Sequence, residues 1–253
     1  MITPRSTAAR RAPAKPRPAA PRARAAHHRH KWTPMSRPDH ARARELFADL
    51  SSNNPSFDAH QYAAAGHILI GNKATQGVGY INPTWLARTE AAHLEHMAVL
   101  HYHFADGGSP TAEAAHFVDT IRSQWRRGDR AACDLEQPAL SNLGAGAPAW
   151  LAEFDAAAHR LGGLDVILYT FSSALNLGLR VRSGMVWDAS FGPDWPAGPF
   201  RRLPNGQQLW GWQFTDGEIG APGPRGAAGI GRCDMSVLAP PVVRRILRDL
   251  HSQ

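Results

Sequence analysis

Eight short apolar runs, each ending in polar or aromatic side chains, are the strongest constraint on what this chain can fold into. They are Leu46–Asp49, Ile68–Lys73, Ala98–His103, Ala131–Glu136, Val166–Tyr169, Met185–Asp188, Leu209–Gln213 and Gly231–Asp234. Runs this short are too brief for core helices and suit strands buried on both faces. Strands that finish in chemically capable side chains are the pattern of a barrel whose site lies at the strand C-termini.

Helical stretches separate the early runs. Asn82-Pro83 opens one to about Met97 and Ser109-Pro110 another to about Trp125, while Ala147-Pro148 opens a third that stops at Gly162-Gly163. A polar cap followed by proline starts a helix, and glycine ends one. Residues 55–65 and Pro241–Leu250 make two more. Residues 190–208 and 215–230 are dense in Gly and Pro and predict loops. The expected fold is α/β: a flattened, helix-depleted TIM-like (β/α) barrel of about eight strands and five helices, spanning residues 41–253.

Residues 1–40 differ in kind. They hold ten of the 28 Lys and Arg and one of the 21 acids, a local net charge of +9. The remaining chain has 18 basic against 20 acidic residues, a net of −2. The basic character therefore belongs to a tail, which argues against a specific nucleic-acid surface on the folded part. Seven prolines (4, 13, 16, 18, 21, 34 and 38) and few apolar side chains predict a disordered Pro/Ala/Arg-rich segment. Two readings stay open: a solvated tail, with Met35 as an alternative start, or an electrostatic tether to anionic cell-wall or outer-membrane polymer. No run approaches the roughly 18–20 apolar residues of a membrane-spanning helix. No apolar signal-peptide core follows the basic N-terminus, so no export segment is expected.

The strongest local chemistry is Asp134-Leu135-Glu136. In a strand, residues i and i+2 share a face about 6–7 Å apart, so the two carboxyls project together. Two close carboxylates cannot cheaply both ionise, which supplies a proton donor beside an anion. Asp49 closes the first run and Asp234 the eighth. First and last strands are neighbours in a closed barrel, so four acids are expected at one mouth. Tyr102, Tyr169, Trp187 and Trp212 near run ends suit sugar rings, with Gln213, His103 and Lys73 as hydrogen-bonding partners. Trp210 has the same setting, and core packing is the alternative for each aromatic.

The thirteen histidines raise the question of metal. His101 and His103 share a strand face and His93 and His96 a helix face, yet neither pair has zinc-motif spacing, and neither metal nor cofactor is expected. Cys133 and Cys233 fall on opposite sides of the barrel, too far apart for a disulfide. There is no G-x-S-x-G elbow or Walker loop, and Gly226–Gly231 precedes a strand rather than a helix.

In this order, Asp49-Leu50-Ser51, Lys73-Ala74-Thr75-Gln76-Gly77, Tyr102-His103-Phe104, Asp134-Leu135-Glu136, Leu168-Tyr169-Thr170, Trp187-Asp188-Ala189, Trp212-Gln213-Phe214 and Gly229–Asp234 resemble the glycoside hydrolase family 25 muramidases, the Chalaropsis-type lysozymes of bacteria and phage endolysins. The resemblance covers nearly all of residues 44–240. It implies cleavage of the β-1,4 bond between N-acetylmuramic acid and N-acetylglucosamine in peptidoglycan, with Glu136 as general acid then base. Asp134 is implied either to stabilise the oxocarbenium-like centre or to orient the substrate's N-acetyl group, and Asp49 and Asp234 to hold substrate and tune the pair. Gln76 stands where the family pattern has Glu. Expected alongside are a monomer, and a route to the wall through a holin, lysis or a virion. A non-catalytic wall-glycan-binding barrel and a chitin-type glycosidase are the alternatives.

Overall fold

The computed structural model describes residues 45–54, 56–191, 203, 205–218 and 223–252. The tail expected over residues 1–40 and part of the loops expected over 190–208 and 215–230 lie outside the described residues.

All eight apolar runs contribute to strands. They are β1 (Leu46–Leu50), β2 (Leu69–Gln76), β4 (Ala98–Phe104), β5 (Arg130–Asp134), β6 (Val166–Phe171), β7 (Met185–Ala189) and β8 (Gln208–Thr215), closed by β11 (Asp234–Leu238). A short β3 (Tyr80–Ile81) forms a hairpin on the end of β2, and β9 (Gly226–Ala227) pairs with β10 (Gly231–Arg232). The barrel order is β1-β11-β8-β7-β6-β5-β4-β2, and parallel pairing of β1 with β2 shuts the ring. β11 runs antiparallel to both of its neighbours.

This changes how Asp234 reaches the mouth. The sequence reading has it closing the eighth strand, but Gly231-Arg232 belongs to the small hairpin and Asp234 opens β11. Because β11 is reversed, its first residue lies level with the last residues of the parallel strands, and Asp234 pairs with Asp49.

Alternation of side chains builds two layers. Phe47, Leu69, Leu100, Ala132, Ile167, Trp187, Trp210 and Leu238, one from each barrel strand, fill the interior. Outward-facing Cys133, Leu135, Val166 and Leu168 pack against helices that bring Phe117, Leu151 and Phe154.

Those helices are α1 (Ala59–Ala64), α2 (Trp85–Leu94), α3 (Pro110–Ile121), α4 (Ala139–Leu143), α5 (Ala147–Gly162) and α6 (Pro240–Leu250). Five match the sequence expectation, and α4 is a short addition directly after the acid pair. Ser109 caps α3 by accepting from the Ala112 N–H, with Pro110 in the first turn, and Gly163 ends α5 at φ 66°. At α2, the Asn82 side chain accepts from Thr84 N–H and donates to the Lys73 carbonyl. That polar turn delays the helix to Trp85. Among the described residues β6 is followed by a 3-10 turn (Ser172–Leu177) and β7 by no helix. The base is plugged by α6, whose Val242, Val243 and Ile246 join the interior cluster.

Candidate active site

Asp134 is the last residue of β5, and Glu136 follows just beyond it. The strand end is held by Leu135, whose N–H donates to the Tyr169 carbonyl at 3.0 Å and whose carbonyl accepts from the Thr170 hydroxyl at 2.8 Å. Leu135 is fully buried in the outer layer, so its two acidic neighbours turn together toward the mouth.

Asp49 reaches the same mouth from β1. Its place depends on Gly71 opposite it on β2, because a Cβ there would lie 2.6 Å from the Asp49 Cβ. Gln213 links the group. Its Nε2 donates to Asp49 Oδ2 at 3.1 Å and to Asp234 Oδ2 at 3.3 Å, while its Oε1 accepts from the Tyr169 hydroxyl at 2.8 Å. Tyr102 donates to the Leu50 carbonyl at 3.2 Å.

Burial with mutual repulsion defines the electrostatics. Burial first, then the charges of Glu136 and Asp49, push the Asp134 carboxyl well above the usual carboxylate range, and Lys73 pulls the other way. Burial also raises Glu136, again with Lys73 opposing. Asp49 is raised by burial and then by Asp234. Asp234 is pushed up to about 6 by burial, then by Asp216, Glu136 and Glu218. Asp134 Oδ1 is buried with no hydrogen-bond partner among the described residues. Buried polar atoms are normally paired, so this oxygen is left with an unmet hydrogen bond.

Lys73 is the counter-charge. Its ammonium donates to Gln76 Oε1 at 2.7 Å and lies 4.4 Å from the Phe104 ring centroid. Gln76 in turn donates to Asp106 at 3.0 Å.

Asp49, Asp134, Glu136, Asp234, Lys73, Tyr102, Tyr169 and Gln213 are therefore brought together as the sequence reading expects. Three expected substrate residues are placed differently. His103 is fully buried on the outer side of β4, between Thr75 and Glu113 and stacked on Phe154. Since Tyr102 points inward, both of its neighbours must point out. Trp212 packs outside against Phe214 and donates to the Ser190 carbonyl. An extra residue in β8, where the register steps from Val186↔Leu209 to Trp187↔Gly211, reverses the alternation so that Trp210 and Gln213 face in. Trp187 is 1% exposed and packs edge-on against Tyr169 at 4.5 Å, so it buttresses the site from beneath instead of offering a sugar platform.

Sequence reading missed several contributors. Arg88 donates to the Ser51 and Asn54 carbonyls and so pins the loop after β1. A lone arginine among the small residues of α2 was the available signal. Asp216 and Glu218, which act on Asp234, lie two and four residues beyond the Trp212-Gln213-Phe214 run.

A closed barrel that gathers paired, buried carboxylates at the C-terminal ends of its parallel strands defines the class of barrel glycosidases. Within that class the chain belongs to the glycosyl hydrolases family 25, whose profile matches residues 48–221. The matched stretch holds Asp49, Asp134 and Glu136 and ends before Asp234. The autolytic lysozyme of Clostridium acetobutylicum is 28% identical over 152 residues, 58% of this chain and 45% of that protein. The chain thus spans about half the length of the curated relative it matches. Among solved structures, the bacterial lysozyme of Streptomyces coelicolor is similar at a TM-score of 0.65 and 20% identity, covering 82% of this chain and 98% of that one. The family 25 glycosyl hydrolase of Bacillus anthracis gives 0.61 at 18% identity, covering 84% and 94%. The catalytic domain of endolysin ply40 from bacteriophage P40 of Listeria monocytogenes gives 0.61 at 17%, covering 79% and 96%. At these identities the structural likeness speaks for the fold.

Proposed function

We propose that this protein is a muramidase: it hydrolyses the β-1,4 bond between N-acetylmuramic acid and N-acetylglucosamine in peptidoglycan, and so acts on the bacterial cell wall. The observation that carries this reading is the Asp134/Glu136 pair at the end of β5, both held toward protonation and faced by Asp49 and Asp234. Glu136, the less enclosed of the two, is the general acid that protonates the leaving oxygen and then the base that activates water. Asp134 accepts through its Oδ1 from the N–H of the substrate's N-acetyl group, a role supported by the lack of any donor to that atom among the described residues. Tyr102, Tyr169 and Gln213 hold the mouth in shape, and Lys73 keeps the acids from being too basic to ionise.

The test is mass spectrometry of borohydride-reduced products from purified peptidoglycan. Wild type is expected to leave reduced muramic acid ends, and Glu136→Gln to lose turnover on the order of a thousandfold at unchanged folding. Full activity in that variant, or products from chitin alone, overturns the assignment. We also propose that residues 1–40, with their net charge of +9, tether the enzyme to anionic envelope polymer. A chain starting at Met35 is then expected to bind cells with a weaker salt dependence.

A further inference from the structure

The charges of the barrel are sorted by end. The mouth gathers Asp49, Asp134, Glu136, Asp216, Glu218 and Asp234, whereas the base is rich in arginine. Residues 122–130, which lead into β5, and 240–250, which form α6, together hold seven arginines against only Asp129 and Asp249. The two segments meet, through Arg130 to Asp249 at 2.8 Å and Arg127 to the Ser252 carbonyl at 3.4 Å. Asp129 is buried and engaged by His93 and His101, so it does not offset the surface. Arg126, Arg244, Arg245 and Arg248 are exposed there.

Apolar side chains are exposed among these charges. Trp125 is 38% and Leu161 43% accessible. Trp125 lies between two depressions: one of about 280 Å³ shared with Arg130, Arg245 and Asp165, the other shared with Leu161 and with Arg122, which also pairs with Asp119 at 3.3 Å. Guanidinium groups grip phosphate through paired donors. Exposed tryptophan beside them suits the boundary between headgroups and acyl chains, whereas a soluble phosphate polymer has no use for it.

We propose that the base of the barrel is a docking surface for an anionic phospholipid bilayer, with Trp125 and Leu161 entering the interface and the arginines binding headgroup phosphates. The acidic mouth is repelled by the same surface, so docking holds the active site facing away from the membrane. The proposal does not rest on the tail and is independent of the muramidase reading.

Full-length protein is tested by co-sedimentation with vesicles of equimolar phosphatidylglycerol and phosphatidylcholine, and with pure phosphatidylcholine. One arginine near an anionic surface changes partitioning about fivefold. The exposed triple variant Arg244→Gln/Arg245→Gln/Arg248→Gln is therefore expected to lose at least tenfold in partitioning to the anionic vesicles while still releasing muropeptides like wild type. Brominated lipid is expected to quench wild-type fluorescence, and to quench it less in Trp125→Phe, a substitution that keeps an aromatic ring at an exposed site. Unchanged partitioning of the triple variant would mean that the tail alone holds the membrane, and would overturn the proposal. So would quenching that does not depend on Trp125, or equal binding to sodium polyphosphate with no lipid quenching.

Discussion

At Asp234 burial and neighbouring acids set the ionised carboxyl against the stability of the fold. Its carboxyl is held at about 6, above its value in an unfolded chain. The ionised form therefore weakens the fold above about pH 6, and the cost disappears below about pH 4. Asp234→Asn is expected to stabilise the protein by about 1–2 kcal/mol near neutral pH, with no gain at pH 4, as read by thermal melts across pH. Activity is expected to fall in the same variant. Lys73 works in the opposite sense on the acid pair. Replacing it with methionine removes the charge that lowers both Asp134 and Glu136, so both limbs of the pH dependence of kcat/KM should move to higher pH. Gly71→Ala drives a methyl group into Asp49. It is expected to cost about 1–3 kcal/mol and to lower kcat/KM, measurable by denaturant titration and kinetics on the same preparation.

At the level of elements, the polar ties behind the barrel wall should bear on stability and not on chemistry. Asp129 accepts from His93, His101 and the N–H groups of Val99 and Arg126, joining α2, β4 and the turn before β5. Burial alone would raise its pKa, but the bonds from His101 and His93 outweigh it and hold the carboxyl at about 2. Its contribution is thus full above about pH 4 and is lost as pH falls from there through about 2. Asp129→Ala is expected to cost about 3 kcal/mol while the pH profile of kcat stays in place. Strand existence was legible in the sequence because eight apolar runs each end in functional groups, and the acid pair was legible because a period of two leaves little choice of face. Which face each other residue takes was not. His103 follows from Tyr102 pointing in, and Trp212 depends on a one-residue bulge in β8 that no local pattern announces. The reversed direction of β11 was equally hidden, since a short strand reads the same either way.

Across the whole molecule, the barrel separates a reactive end from a supporting one. Helix α6 closes the base with Val242, Val243 and Ile246 and is clamped by Arg130 to Asp249. Ile246→Ala is expected to destabilise by about 3 kcal/mol and to leave the pH dependence of hydrolysis unchanged, since the cavity it opens lies at the far end from the acids.

The pairing of Asp49 with Asp234 joins the first barrel strand to the last. During synthesis, β1 emerges well before β11, and the edge it will share with β11 must wait unpaired until that strand has left the ribosome. A nascent or C-terminally clipped chain already carries Asp134 and Glu136 but has no complete mouth around them. The acidic mouth is then completed in one late step, when β11 pairs with β1.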